Sequence, residues 1–158
     1  MIDYKLDAFD ERIINELTQD ARIPMIQLAT KLKVSNTFVH QRIKKLKEFG
    51  ILENATYRLS PWSLGYQSSA YTQIMLTNSK HHRRVEEELA KIPEIVECVN
   101  ISGRYALLVK IYAVNNRDLR DVIYEKIQPI EGVEGTNTTI SFETAFRRNV
   151  PLLIQEKN

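Results

Sequence analysis

Hydrogen-bonding and basic side chains are concentrated between Ser35 and Lys47. An amide such as Gln41 can bond to adenine through two hydrogen bonds, Lys44 can reach guanine or a phosphate, and Phe38 can contact a thymine methyl group. Residues of these types on one helix favour the reading of base edges in DNA.

The stretch 31–47 is basic and contains no acidic residue. Its cations are Lys31, Lys33, Arg42, Lys44, Lys45 and Lys47. The whole chain is nearly balanced, with 22 basic and 20 acidic residues, so the charge is local. A run of one sign indicates a polyanionic partner, although a solvated helix face remains the alternative from charge alone. Arg42, Lys45 and Lys47 are expected to contact phosphates, which supply affinity rather than sequence preference.

Three short helices are predicted to position these side chains. Asp7 is a good N-cap for a first helix that ends at Thr18 or Asp20, and Pro24 opens a second helix. Ser35 caps a third helix, and Gly50 follows it as a left-handed C-terminal residue. Two helices joined by a turn of about three residues are typical of a helix-turn-helix. An ordinary amphipathic helix in a three-helix bundle is the alternative.

The next stretch predicts the end of a first domain. Residues 51–59 alternate loosely between apolar and polar, which predicts the strands of a wing. Residues 60–65 contain Pro61, Gly65 and two serines, which mark a boundary. We therefore expect a winged helix-turn-helix domain over residues 1–60 and a second domain over residues 66–158.

The second part predicts a ferredoxin-like order of elements, βαββαβ. Its expected strands cover residues 69–77, 96–102, 105–113 and 132–142, and its expected helices cover residues 82–91 and 117–127. A tight turn at Gly103 and Arg104 joins the two central strands. The predicted fold class is α+β, with both domains in one chain.

Several other kinds of site are not expected. Cys98 is the single cysteine, which excludes an internal disulfide and a cysteine-rich metal site. His81 and His82 are adjacent and would point about 100° apart on a helix, so no metal site is expected there. No phosphate loop or nucleophile motif is found, so we expect neither a cofactor nor enzymatic activity. No apolar run is long enough for a membrane span and the N-terminus is too polar for a signal peptide, so a cytoplasmic protein without a membrane partner is expected.

Taken in order, these residues resemble the Lrp/AsnC family of feast/famine regulators. The resemblance rests on motifs spread over nearly the whole chain: Leu6-Asp7, Asp10-Glu11-Arg12-Ile13-Ile14, Asp20-Ala21-Arg22, Leu28-Ala29, Val34-Ser35, Arg42-Ile43-Lys44-Lys45-Leu46, Gly50-Ile51, Leu59-Ser60-Pro61, Leu64-Gly65, Ser102-Gly103, Gly132-Val133 and Thr136-Asn137-Thr138. No single motif is diagnostic, but together they follow the family's order and spacing.

The resemblance implies a transcription regulator that binds double-stranded DNA through its third helix. The residues expected to contact DNA lie on or just before that helix: Ser35, Asn36, Thr37, Phe38, His40, Gln41, Arg42, Lys44 and Lys45. It also implies a linker strand after the DNA-binding domain and a C-terminal domain of the ferredoxin-like kind called ACT-like. Homodimers are expected to form by pairing of these sheets, and to assemble further into tetramers or octamers that bind pseudo-palindromic sites.

The resemblance further implies an amino-acid effector held near the loop between the second and third strands of the C-terminal domain. The residues matched to this cleft are Gly103, Arg104, Tyr105, Ala106, Thr136 and Thr138. Here the sequence departs from the family pattern, because Arg104 replaces an acidic or amide residue and Ala106 replaces the usual aspartate. Loss of the carboxylate removes a partner for an ammonium, whereas a guanidinium suits a carboxylate. A solvent-exposed turn with ordinary strand threonines is the alternative.

Two other functions are less well supported by the residues. An enzyme built on the ferredoxin-like half lacks a cluster of acid, base and nucleophile. A protein that coats DNA largely without sequence preference would differ from a regulator in its ratio of specific to non-specific affinity, which is typically about 10³ or more for a regulator.

Overall fold

The computed structural model of the protein describes residues 4–152. These residues form two compact units. The first contains the chain up to Tyr57 together with the described part of the segment that begins at Arg147, and the second is Arg58–Phe146.

Three helices make up the first unit: α1 (Ala8–Gln19), α2 (Met25–Leu32) and α3 (Asn36–Glu48). Asp7 caps α1 as predicted, because its carboxylate accepts the amides of Phe9 and Asp10 at 2.9 Å while the Asp10 side chain accepts the amide of Asp7. The three helices bury one shared apolar cluster: Ile13, Ile14, Leu28, Ala29, Leu32, Val39 and Leu46. Residues three or four apart along each helix share a face, which explains why these side chains meet in one cluster.

The wing and the linker strand are corrected by the structure. Ile51 and Leu52 pack against the helical cluster, but residues 53–60 are exposed and form no strand. An extended segment needs a partner for its backbone groups, and an isolated two-stranded hairpin is marginal in water. No glycine or proline lies between Glu53 and Leu59 to reverse the chain. Over its described residues, the first unit is therefore a helix-turn-helix without a wing.

The second unit has the predicted βαββαβ order. Its elements are β1 (Ser68–Leu76), α4 (His82–Leu89), β2 (Ile95–Asn100), β3 (Leu107–Ala113), α5 (Asn116–Asp121), which continues as a π-helical turn (Val122–Ile127), and β4 (Val133–Ile140). The sheet is antiparallel in the order β2-β3-β1-β4, as a ferredoxin-like fold requires. The link between β2 and β3 is longer than the tight turn predicted at Gly103 and Arg104, because β2 ends at Asn100 and β3 begins only at Leu107.

The two faces of this sheet differ. One face is covered by the helices, and its core includes Ala70, Ile74, Val109 and Ile111, all fully buried. Cross-strand pairing puts Tyr71 opposite Lys110, both on the face that no helix of this unit covers. We call this the open face.

The end of the chain also differs from the predicted domains. The second domain was expected to run to residue 158, yet Leu152 packs against the apolar cluster of the first unit. Residues 153–158 of that expected domain lie outside the described residues. No helix among residues 4–152 is long and apolar enough to cross a bilayer.

Candidate nucleic-acid interface

The turn between α2 and α3 is tight and well defined. Lys33 adopts a left-handed conformation (φ 59°, ψ 43°) and ends α2. Ser35 then accepts the amide of Phe38 at 3.2 Å and starts α3. This turn allows α3 to leave α2 at once, which is the geometry of a helix-turn-helix.

One side of α3 is buried and the other is open. Val39 and Leu46 are fully buried and Ile43 is half-buried. Since successive residues advance about 100° around a helix, Thr37, Gln41 and Lys44 lie on the side opposite Val39. The predicted DNA contacts that are solvent-exposed are Ser35, Asn36, Thr37, His40, Gln41, Lys44 and Lys45. We call these seven residues the outer face.

The other two predicted contacts, Phe38 and Arg42, are half-buried against α1. The Phe38 ring meets the Phe9 ring edge-to-face with centroids 5.4 Å apart. The Arg42 guanidinium lies 5.1 Å from the centroid of Phe38. Both side chains are therefore held at the edge of the outer face by contacts within the unit.

Arg42 also joins α3 to the start of α1 by ion pairs. Its Nη1 lies 2.7 Å from Oδ2 of Asp7 and 3.2 Å from Oδ1 of Asp10. Asp10 is fully buried and its Oδ2 also accepts the hydroxyl of Tyr4 at 2.9 Å. Burial would raise the pKa of Asp7, but the amide of Asp10 and the Arg42 guanidinium hold that pKa below its usual value.

The remaining cations differ in ion pairing and in solvent exposure. Lys31 is paired with Glu16, and Lys44 lies 3.8 Å from Glu48 one turn further along α3. The Lys44 side chain is 78% exposed, so this pair is weak and the ammonium can exchange partners. Lys45, on the flank of the same face, is also exposed.

The predicted effector residues lie in the second unit. Gly103 has φ 109°, and the Arg104 side chain is exposed above the Tyr105 ring at 6.0 Å from its centroid. The amide of Ala106 donates to Ile74 O, and Ile74 also pairs with Thr136 on β4. The loop and Thr136 therefore meet at one end of the sheet.

Both predicted threonine hydroxyls already have partners. Thr136 accepts the side-chain amide of Gln128 at 3.0 Å, and the hydroxyls of Thr138 and Thr72 lie 2.9 Å apart. Thr138 lies on the helix-covered side, since it pairs with the buried Thr72. A ligand that used these hydroxyls would have to share or replace those hydrogen bonds.

A cleft that the sequence did not predict lies at the opposite end of β3. It has a volume of about 350 Å³ and is lined in part by Glu94, Asp118, Asp121 and Lys126. Lys126 donates to Glu94 at 2.6 Å, and although burial would raise the pKa of Glu94, this ammonium keeps it below its usual value. These residues come from a loop and one helix, and no sequence spacing links them. Among the described residues, no group of acidic, histidine or cysteine side chains is arranged to hold a metal ion.

Comparisons with known proteins agree with this arrangement. An AsnC-type helix-turn-helix domain matches residues 6–47, and the Lrp/AsnC ligand binding domain matches residues 69–151. The HTH-type transcriptional regulator FL11 of Pyrococcus furiosus is 35% identical over 135 residues, covering 85% of this chain and 88% of its own.

Solved structures show the same fold. The structure of AsnC from E. coli is 28% identical, has a TM-score of 0.87, and covers 93% of this chain and 99% of its own. A transcriptional regulator of Neisseria meningitidis, solved as a complex with L-Met, has a TM-score of 0.85 at 18% identity and covers 93% of this chain and 97% of its own. The chain is therefore a helix-turn-helix transcription regulator rather than an enzyme, and it belongs to the Lrp/AsnC family.

Proposed function

We propose that the protein binds pseudo-palindromic double-stranded DNA as a homodimer, reads base edges with the outer face of α3, and responds to a small ligand that carries a carboxylate. The observation that carries the proposal is the outer face itself. It presents Thr37, Gln41 and Lys44 to solvent on a helix whose opposite side is packed. Because its target is chromosomal DNA, we expect the protein to act in the cytoplasm.

The outer face suits the major groove. The groove admits one α-helix, and the N-terminal half of such a helix meets the base edges. Gln41 is placed to accept and donate at one adenine, while Lys45 is on the flank, where phosphates would lie. We expect double-stranded DNA to be bound mainly through these two kinds of contact.

The first experiment separates base reading from phosphate attraction. A duplex selected from a random pool by the wild-type protein is compared with a random duplex over a range of salt concentrations. Gln41→Ala is expected to cost about 1–3 kcal/mol on the selected duplex alone, since it removes one base contact. Lys45→Ala is expected to weaken both duplexes and to lower the salt slope by about one unit.

Two results would contradict direct reading. One is an equal loss on both duplexes for Gln41→Ala. The other is a wild-type preference for the selected duplex well below about 10³, which would indicate coating of DNA rather than recognition.

The open face supports dimerisation. It carries Tyr71, Lys110 and Tyr112, and Lys110 is only 2% exposed although no helix of the unit covers it. In a two-fold interface each copy offers the same patch. Lys110 lies across from Glu97 on β2, so the patch contains both signs of charge and can complement itself. We propose that dimers pair through this face, place half-sites about one helical turn or a multiple of it apart, and assemble further into tetramers or octamers.

The ligand proposal rests on the loop at residues 102–106 and on the neighbouring threonines. Arg104 is exposed and can form a bidentate pair with a carboxylate, while Ala106 offers no partner for an ammonium. The relative solved with L-Met has the same fold and lends support to a small ligand of amino-acid size. We expect a weak or absent response to neutral amino acids and a stronger one to dicarboxylates.

Thermal unfolding with the twenty amino acids and common dicarboxylates tests the ligand proposal. A ligand present at 100 times its Kd stabilises the folded protein by about 2.7 kcal/mol. The shift is expected with a dicarboxylate and is expected to disappear in Arg104→Ala. A clear shift with a neutral amino acid that survives Arg104→Ala but is lost in Thr136→Val would contradict this assignment.

A further inference from the structure

Arg42 has an unusual position for a basic residue of a DNA-reading helix. It belongs to α3 and lies one residue after Gln41 and two before Lys44, both on the outer face, yet its side chain is only 27% exposed. Its guanidinium faces the start of α1, where two carboxylates lie within 3.2 Å. Both carboxylates are contacted by one guanidinium nitrogen, Nη1, so this end of the side chain is directed at α1.

The two carboxylates are also the N-terminal cap of α1. Oδ1 of Asp7 accepts two backbone amides of the first turn, and Oδ2 of Asp10 accepts the amide of Asp7. Asp7 gives its other oxygen, Oδ2, to Arg42, and both oxygens of Asp10 lie within 3.3 Å of the same guanidinium nitrogen. One cation on α3 therefore connects to both members of the capping box.

The partners of Arg42 are themselves held by further contacts. Asp10 is fully buried, and its second neighbour is the hydroxyl of Tyr4 at 2.9 Å. The Arg42 plane lies over Phe38, and Phe38 meets Phe9 of α1. The guanidinium is therefore held both by two carboxylates and by an aromatic ring, and lysine lacks the planar group that stacks on such a ring.

We propose that Arg42 is a positioning residue, which sets the rotation and angle of α3 against α1 so that the outer face meets the bases, and that it is not a phosphate contact. The inference rests on the proposed role of α3 in reading DNA. It replaces the phosphate role that the sequence suggested for Arg42. It also assigns a DNA-binding effect to Asp10, a buried acidic residue that cannot itself touch DNA.

The test uses the charges of Arg42 and Asp10. For Asp10→Asn, a positioning role and a phosphate contact predict opposite changes in DNA affinity. Asp10→Asn removes a negative charge near DNA, so simple electrostatics predicts equal or tighter binding. Positioning predicts weaker binding to the selected duplex, by about fivefold or more, the value of one base contact. Binding to a random duplex and the salt slope are expected to stay within experimental error of the wild type.

Arg42→Lys is the matched variant that keeps the charge and is the less disruptive of the two. A phosphate contact would survive it, with a salt slope and affinity close to those of the wild type. A positioning residue would not, because lysine lacks the planar group that contacts both the carboxylates and the Phe38 ring, and the selected duplex would again lose about fivefold while the slope is kept. Circular dichroism confirms that each variant is folded. If Asp10→Asn does not fold, Asp7→Asn replaces it, since asparagine keeps the cap but loses the ion pair.

The outcomes separate the inference from the function on which it rests. Tighter or unchanged binding in Asp10→Asn, or its substitute, overturns the positioning role, as does full retention in Arg42→Lys. A salt slope lowered by about one unit in Arg42→Ala also overturns it. Gln41→Ala without any effect on the selected duplex would instead refute reading by α3, whatever the Arg42 variants show.

Discussion

Arg42 and Lys110 are both cations with little exposure, and they are satisfied in different ways. Arg42 has two carboxylates of its own unit within 3.2 Å. Lys110 donates to the hydroxyl of Tyr71 at 2.9 Å and lies 5.3 Å from the centroid of the Tyr112 ring. No carboxylate among residues 4–152 lies within ion-pairing distance of its ammonium.

The difference indicates which of the two cations has its charge partners within a single chain. A charge removed from water is stable only when it is paired and hydrogen-bonded. The first unit supplies everything that Arg42 needs. The second unit supplies Lys110 with neutral oxygens and rings only, on a sheet face that no helix of the unit covers, as expected for a face that is completed by a second copy.

Reversing the charge of Lys110 is the most severe test of this comparison. Lys110→Glu would place a carboxylate beside Glu97, its cross-strand neighbour. If the open face is the dimer interface, each copy would carry an unpaired buried charge, which costs about 3–5 kcal/mol. We expect the dissociation constant of the dimer to rise more than about 100-fold, as measured by sedimentation velocity.

Lys110→Met is the matched control for this change. It keeps the length of the side chain and removes the charge, so the dimer is expected to persist. A Lys110→Glu protein that remained folded and fully dimeric at low micromolar concentration would place the interface elsewhere.

The two sites are expected to lose stability at opposite ends of the pH range. The pKa of Asp7 is held down in the folded state, so its contribution to stability is present above about pH 4 and is lost as the pH falls through its lowered value. Burial would lower the pKa of Lys110, but the hydroxyls of Tyr71 and Tyr112 raise it. Its contribution is therefore present below about pH 10.4 and is lost as the pH rises through the raised value.

Urea unfolding across the pH range measures these limits. Asp7→Asn is expected to flatten the acidic side of the stability curve and to leave the alkaline side unchanged. Lys110→Met is expected to flatten the alkaline side only. If either variant altered stability equally at acidic and at alkaline pH, the two sites would not act independently.

The smallest expected effect concerns the turn before α3. Lys33 has a positive φ, which costs a residue with a Cβ atom about 1 kcal/mol or more. Lys33→Gly relieves this strain but adds freedom to the unfolded chain, so we expect a net gain of about 0.5 kcal/mol and a rise in Tm of a few degrees. Lys33→Ala keeps the strain and is the control, for which no gain is expected. An equal gain in both variants would assign the effect to the lost charge.

The sequence predicted the local features of both units. Asp7 and Ser35 cap their helices because their short side chains reach backbone amides within three residues, and such contacts depend on spacing alone. The predicted order of elements in the second unit, βαββαβ, was also correct. The predicted wing was wrong, because loose alternation at residues 51–59 does not provide a neighbouring strand with which to pair.

Contacts between residues far apart in the chain could not be predicted from the sequence. Arg42 and Asp10 are 32 positions apart. Helical spacing puts Arg42 three residues after Val39 and four before Leu46, near the packed side of α3, but it does not identify the carboxylates that pair with it. Likewise, a period of two puts Leu108, Lys110 and Tyr112 on one face of β3 but does not reveal that the lysine is buried between two tyrosines. The cleft beside Glu94 depends on the packing of α5 and the turn that follows it, which only the fold defines.

The bridge between Arg42 and the capping box has a consequence for the engineering of specificity. Exchanging recognition helices between relatives is a natural way to transfer the choice of operator. Here such a graft would carry Arg42 away from Asp7 and Asp10, or bring in a helix without a cation to pair with the buried Asp10. The smallest transferable segment is therefore not α3 but the continuous stretch from Tyr4 through Glu48, and a recipient that keeps its own first helix must already have an acidic residue at the position of Asp10.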